Sequence, residues 1–111
     1  MNTITWEDFE KIDMRVGTIL EVNDFPKAKN PAYQLKIDLG ELGIKQSSAQ
    51  IVNIYSKEDL IGKQIIAVVN FPPKQIANFI SECLVMGIYN ENKDVVLLTA
   101  DKSTTNGCKI G

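Results

Sequence analysis

Between Tyr33 and Leu39 the chain reads Tyr-Gln-Leu-Lys-Ile-Asp-Leu, apolar and polar residues in strict alternation. A two-residue period puts Tyr33, Leu35, Ile37 and Leu39 on one face and Lys36 and Asp38 on the other. That is a half-buried β-strand, and it cannot serve as the 3.6-residue stripe of a helix. The rest of the chain must supply this strand with neighbours. Met14 to Phe25 shows a similar pattern, with Met14, Val16, Leu20 and Val22 set against Arg15, Glu21 and Asn23; Gly17 is expected to mark a bulge. Gly40-Glu41-Leu42-Gly43 makes a tight connection into a more polar strand, Ile44 to Ile51. Lys63 to Asn70 contains Ile65-Ile66-Ala67-Val68-Val69, too uniformly apolar to have a wet face, which predicts a central strand. Phe71-Pro72-Pro73 ends it, because proline has no N–H for a ladder. Cys83 to Tyr89 and Val95 to Ala100 read as two more strands joined by the polar turn Asn90 to Asp94.

Helices are short. Thr5 and Asp8 match a capping box, and Trp6, Phe9 and Ile12 follow at three-residue spacing, so an amphipathic helix is expected from about Thr5 to Lys11. Its apolar stripe needs a docking surface. Ser56 to Leu60 looks like a capped helical turn. Several short strands without βαβ alternation, in 111 residues, predict one domain over 1–111. It should be mostly β, a five-stranded oligonucleotide/oligosaccharide-binding (OB-fold) Greek-key barrel with short helical extensions; a small β-sandwich is the second choice.

Composition narrows the chemistry. The chain has no histidine, which removes the usual acid-base group near neutral pH and the commonest nitrogen ligand of transition metals. Neither Gly40-Glu41-Leu42-Gly43 nor Gly17-Thr18 forms a phosphate loop, and Asp13, Asp38, Glu82 and Asp101 read as solvated carboxylates. The chain is therefore read as a non-enzyme. Cys83 and Cys108 lack metal-ligand spacing and are expected to be free thiols. No basic segment followed by an apolar stretch opens the sequence, and Cys83–Tyr89 is far shorter than a membrane helix, so a soluble, cytoplasmic protein without membrane insertion is expected.

Formal net charge is −2, the opposite of a dedicated nucleic-acid binder. Residues 25 to 49, however, carry Lys27, Lys29, Lys36 and Lys45 against Asp38 and Glu41. On a barrel of this type such lysines could meet a phosphate backbone or an acidic polypeptide, or simply protect an edge strand from aggregation. Ser47-Ser48-Ala49-Gln50 offers hydroxyl and amide groups without bulk, as a groove receiving another backbone would need; structural turn chemistry is the alternative. Asn70, Phe71, Pro72, Pro73, Lys74, Gln75 and Ile76 set polar donors beside a preorganised apolar wall. Phe71, Ile76, Phe79 and Ile80 form an apolar cluster that is either core or an interface, while Leu84 and Met86 read as core.

Phe9 to Ile19, containing Asp13-Met14-Arg15-Val16-Gly17, and Pro31-Ala32-Tyr33 leading to Lys36-Ile37-Asp38-Leu39-Gly40, resemble the tRNA-binding-domain superfamily found on methionyl-tRNA synthetases or standing alone as dimers. Ser47 to Ile51, Asn70 to Ile76 and Ser81-Glu82-Cys83-Leu84-Val85 resemble its CsaA branch of protein-export chaperones. The resemblance implies a homodimer that holds unfolded presecretory polypeptides and works with the export translocation motor, with no cofactor and no metal. Polypeptide contacts would come from Lys36, Ser47, Ser48, Gln50, Asn70, Phe71, Pro72, Lys74, Gln75 and Ile76. The alternative it implies is a salt-sensitive tRNA-binding module using Lys27, Lys29, Lys36, Lys45 and Ser81. Cys83-Leu84 stands where the superfamily has Gly-Met.

Overall fold

The structure is a computed structural model that describes residues 1–111. After α1 (Trp6–Glu10) come the long strand β1 (Met14–Asp24) and β2 (Tyr33–Asp38). A single 3-10 turn at Gly40–Leu42 leads to β3 (Ile44–Ala49), followed by α2 (Lys57–Leu60) and β4 (Gln64–Val68). Two hairpins and a short strand complete the chain: β5 (Lys74–Ile76) with β6 (Phe79–Ser81), then β7 (Leu84–Val85), then β8 (Gly87–Tyr89) with β9 (Val95–Leu97). The main sheet is antiparallel in the order β3-β2-β1-β4-β7, and β7 comes back beside β3, so the sheet nearly closes into the expected five-stranded OB-type barrel.

Both helices carry the predicted caps. Thr5 Oγ1 accepts from the Asp8 N–H while Asp8 Oδ2 accepts from the Thr5 N–H, and Ser56 and Asp59 repeat the arrangement on α2. The barrel interior is filled by Ile19, Leu35, Ile37, Leu39, Leu60 and Ile65, all fully buried. Cys83 lies among them, and burial pushes its thiol up to about 11, so it stays protonated and inert at neutral pH. Both cysteines are free.

Two expectations for β1 are corrected. The bulge is not at Gly17 but between Ile19 and Glu21, where Leu20 is the extra residue. It shifts the phase of the strand: Ile19 and Val22 point into the barrel while Leu20 is turned out, although Met14, Val16, Leu20 and Val22 had appeared to share a face. Gly17 is required by close packing, since a Cβ there would lie 2.6 Å from Ile37 Cγ2 and 2.7 Å from Leu39 Cδ2. Met14 and Val16 instead form a second cluster with Ile66 and Val68 on the outside of the barrel. Phe9 of α1, Met86, Leu98 and Ile110 pack against it.

The last residues complete β1. Beyond Thr18, β2 no longer covers that edge, and residues 107–110 take its place. Val16 N–H donates to Cys108 O at 3.0 Å, Gly107 N–H to Val16 O at 2.7 Å and Ile110 N–H to Met14 O at 2.9 Å. Arg15 locks the junction: Nε donates to Asp13 Oδ1 at 2.6 Å and Nη1 to the Gly107 carbonyl at 3.0 Å. The Arg15 hydrogen bond holds the Asp13 carboxyl below the usual carboxylate range. A carboxylate with a lowered folded pKa contributes stability above its unfolded pKa and loses it as pH falls through the folded value. The melting temperature is therefore expected to drop on acidification below about pH 4. An Asp13→Asn variant, melted over the same pH series, should be less stable at pH 7 and show a shallower acid loss.

Candidate functional site

The wall between β3 and β7 is sealed by hydrogen bonds. Glu82 N–H donates to Gln46 O at 2.8 Å and Gln46 N–H to Glu82 Oε1 at 3.0 Å. Ser47 Oγ donates to Cys83 O at 2.8 Å, and Ser48 N–H donates to Ser81 Oγ at 3.2 Å. Side chains thus replace most of a backbone ladder here. Beside this seal, residues 48–53 and 84–95 contribute to the lining of a groove of about 670 Å³. Its floor and walls include Ser48, Gln50 and Ile51 from one side and Leu84, Met86 and Tyr89 from the other. Lys93 is the one charged residue among those lining it.

The structure divides the polypeptide-contact residues expected from the sequence. Ser48 and Gln50 line the groove. Ser47 is 1% exposed and its hydroxyl is committed to the barrel seal, so it is removed from the set. Asn70 is exposed and lies outside the groove; its Oδ1 accepts from Asp13 N–H at 3.0 Å and its Nδ2 donates to Lys11 O at 2.7 Å, clasping the turn that joins α1 to β1. Phe71, Pro72, Lys74 and Gln75 are exposed and Ile76 half-buried, on a loop and hairpin outside the groove. Phe79 of that hairpin packs on Phe25 with ring centroids 5.4 Å apart, which settles Phe79 as structural and leaves Phe71 and Ile80 outward. Lys36 is exposed and paired with Glu21 at 3.4 Å.

The residues expected to meet RNA are likewise dispersed. Lys27 and Lys29 are exposed on the β1–β2 loop. Lys36 lies opposite Gln46 and Lys45 opposite Ile37, so by strand alternation these two lysines leave the sheet on opposite faces. Ser81 serves the barrel seal. Among the four carboxylates, Asp13 holds Arg15, Asp38 accepts from the Gly40 N–H and Glu82 from the Gln46 N–H, so each of these three has its own partner. Leu84, Met86 and Tyr89 were missed as groove residues. Leu84, expected in the core, is 49% exposed because β7 is only two residues long and turns it outward.

Residues 14–109 match the family model described as "Putative tRNA binding domain". The CsaA chaperone protein of Picrophilus torridus is 59% identical, superimposes with a TM-score of 0.93, and the match covers 98% of this chain and 100% of that one. The chain belongs to the tRNA-binding-domain family, in its CsaA group. CsaA of Bacillus anthracis is 53% identical with a TM-score of 0.94, over 99% of this chain and 100% of that one. The methionine–tRNA ligase of Methanocaldococcus jannaschii is 36% identical over 110 residues, 99% of this chain. The chain spans only 17% of that ligase's length. No helix in the CsaA-type fold seen here is long and apolar enough to cross a membrane.

Proposed function

We propose that this protein is a non-catalytic, cytoplasmic chaperone that holds unfolded presecretory polypeptides as a homodimer and passes them to the export translocation motor. The observation that carries the reading is the groove itself: an apolar and amide-lined concavity with one charged residue suits an uncharged stretch of polypeptide and gives a phosphate backbone little to pair with. The full-length likeness to two CsaA chaperones supports it. Ser48, Gln50, Leu84 and Tyr89 would make the first contacts, with Phe71, Pro72, Lys74, Gln75 and Ile76 a second, separate surface. Dimerisation is supported by the face around α1, where Trp6, stacked on Phe9 at 5.4 Å, is 72% exposed and Ile4 and Ile12 are also open.

The test is fluorescence anisotropy of a labelled, unfolded presecretory polypeptide at increasing salt, with tRNA as competitor and a folded protein as control. Saturable binding near 1 μM, about −8 kcal/mol, with little salt dependence is expected. Leu84→Ala and Phe71→Ala should each weaken it while changing stability by less than about 1 kcal/mol, since both side chains are half exposed. Binding to tRNA alone, falling with salt at a log-log slope of about −0.7 to −0.9 per phosphate contact, would replace the chaperone reading with an RNA-binding one.

A further inference from the structure

Asn106-Gly107 is the one Asn-Gly pair in the chain, and it lies where the last residues seat on β1. Such a pair can close on itself: with no side chain on the glycine, its backbone nitrogen can reach the asparagine amide carbon. Here the electrophile is primed. Asn106 Oδ1 accepts from Thr18 Oγ1 at 2.7 Å and from Gln64 Nε2 at 3.2 Å, two donors that draw electron density from Cγ and suit the charge an attacked amide carbon places on its oxygen. The nucleophile is withheld. Gly107 N–H donates to Val16 O at 2.7 Å and the Gly107 carbonyl accepts from Arg15 Nη1 at 3.0 Å, so the nitrogen neither turns toward the Asn106 side chain nor gives up its proton while these bonds hold. The backbone is pressed from the other side as well. A Cβ on Gly40 would collide with the Asn106 carbonyl oxygen, and one on Gly107 would lie 2.7 Å from the Leu39 carbonyl oxygen.

We propose that Asn106 is a deamidation site silenced by the fold, and that residues 106–110 form a strap which this reaction converts from a closed to an open state. The chemistry needs only water. When the strap lifts from β1, the Gly107 nitrogen attacks Asn106 Cγ: an N–Cγ bond forms, the Cγ–Nδ2 bond breaks, and the Gly107 N–H proton leaves with Nδ2 as ammonia. Water then opens the resulting succinimide at either carbonyl. Attack at Cγ gives aspartate, with the main chain unchanged and a carboxylate oxygen where Nδ2 was, so the strap reseats with the Thr18 and Gln64 bonds intact. Attack at the main-chain carbonyl carbon gives isoaspartate, in which the chain runs through Cβ and is one carbon longer. That longer chain does not fit against Leu39 and Gly40, where two glycines already leave no room for a Cβ. The isoaspartyl strap therefore stays off. It leaves the Met14–Val16 edge of β1 unpaired and takes Ile110 out of the outer apolar cluster. This switch does not depend on what fills the groove.

The test incubates the full chain in mildly alkaline buffer, native or denatured in guanidinium chloride. Trypsin then releases Ser103–Lys109, in which mass spectrometry reads the change of amide to acid and an isoaspartyl methyltransferase marks the isoaspartate. Deamidation at Asn106 should be at least about tenfold slower in the native chain than in the denatured one. Arg15→Gln, which frees the Gly107 carbonyl, should speed it several-fold in native buffer and leave the denatured rate unchanged. The isoaspartyl species, separated by ion exchange, should melt lower than the parent and exchange faster at the Val16 and Ile110 amides, while Asn106→Asp melts as the wild type. Equal native and denatured rates overturn the silencing by the fold. An isoaspartyl species that melts and exchanges like the parent overturns the open state. Both comparisons are made on the wild-type protein, so they decide the question even if Arg15→Gln fails to fold.

Discussion

Replacing Leu35 by alanine is expected to destabilise the domain by about 3–5 kcal/mol. Leu35 is fully buried, sits at the middle of β2 and is enclosed by the largest core cluster. β2 is itself flanked by β1 and β3, so the backbone around the void cannot move inward without disturbing two ladders. The loss is then the transfer free energy of the removed carbons plus a cavity that stays largely open. Against a total stability of roughly 5–15 kcal/mol this can leave a measurable unfolded population at 37 °C. Urea unfolding with an unchanged slope and a lower midpoint is the expected result. A loss below about 1 kcal/mol would mean that the barrel interior can collapse around the site. Leu84→Ala is the matched control on the groove.

Gly107→Ala should cost roughly 2–5 kcal/mol, for two separate reasons that add. Gly107 has φ of +92°, a conformation that an L-residue adopts only with strain. A Cβ there would also lie 2.7 Å from the Leu39 carbonyl oxygen, a backbone atom that cannot rotate aside. Relief requires residues 107–110 to pull back from β1, which breaks the Gly107–Val16 bond and the Arg15 contact to the Gly107 carbonyl. Hydrogen exchange should therefore speed up first at the amides of Val16, Gly107 and Ile110. Gly43→Ala and Gly62→Ala separate the two causes. Both glycines have positive φ, +85° and +86°, but open space where a Cβ would go, so only the conformational cost of about 1–2 kcal/mol remains. Equal effects at all three positions would show that the close approach at Gly107 contributes nothing.

Strand identity was legible where one face is wet and the other dry, as in Tyr33–Leu39, and where both are dry, as in Ile65–Val68. Helix starts were legible because capping is a local transaction between residues three apart. The bulge at Leu20 was not, because an inserted residue leaves no mark in composition; Gly17, the conspicuous candidate, is instead small because Ile37 and Leu39 press on it. Of the candidate site, Ser48 and Gln50 were recognisable as small polar edge residues. Ser47 and Asn70 carry the same polar groups but are bonded to partners 36 and 57 residues away, which no local pattern reveals. Leu84 and Met86 look like core by hydropathy, yet both line the groove, with Leu84 half exposed on a two-residue strand.

The pairing of residues 107–110 with Met14–Gly17 joins segments 92 residues apart, and this fixes the order in which the barrel can be finished during translation. At about 5–20 residues per second, the first half of β1 waits roughly 5–18 s for its second neighbour to be made. During that interval one edge of β1, between Met14 and Gly17, is an open template for any extended chain nearby. A nascent copy of this protein is thus, briefly, the kind of client its finished form is proposed to hold.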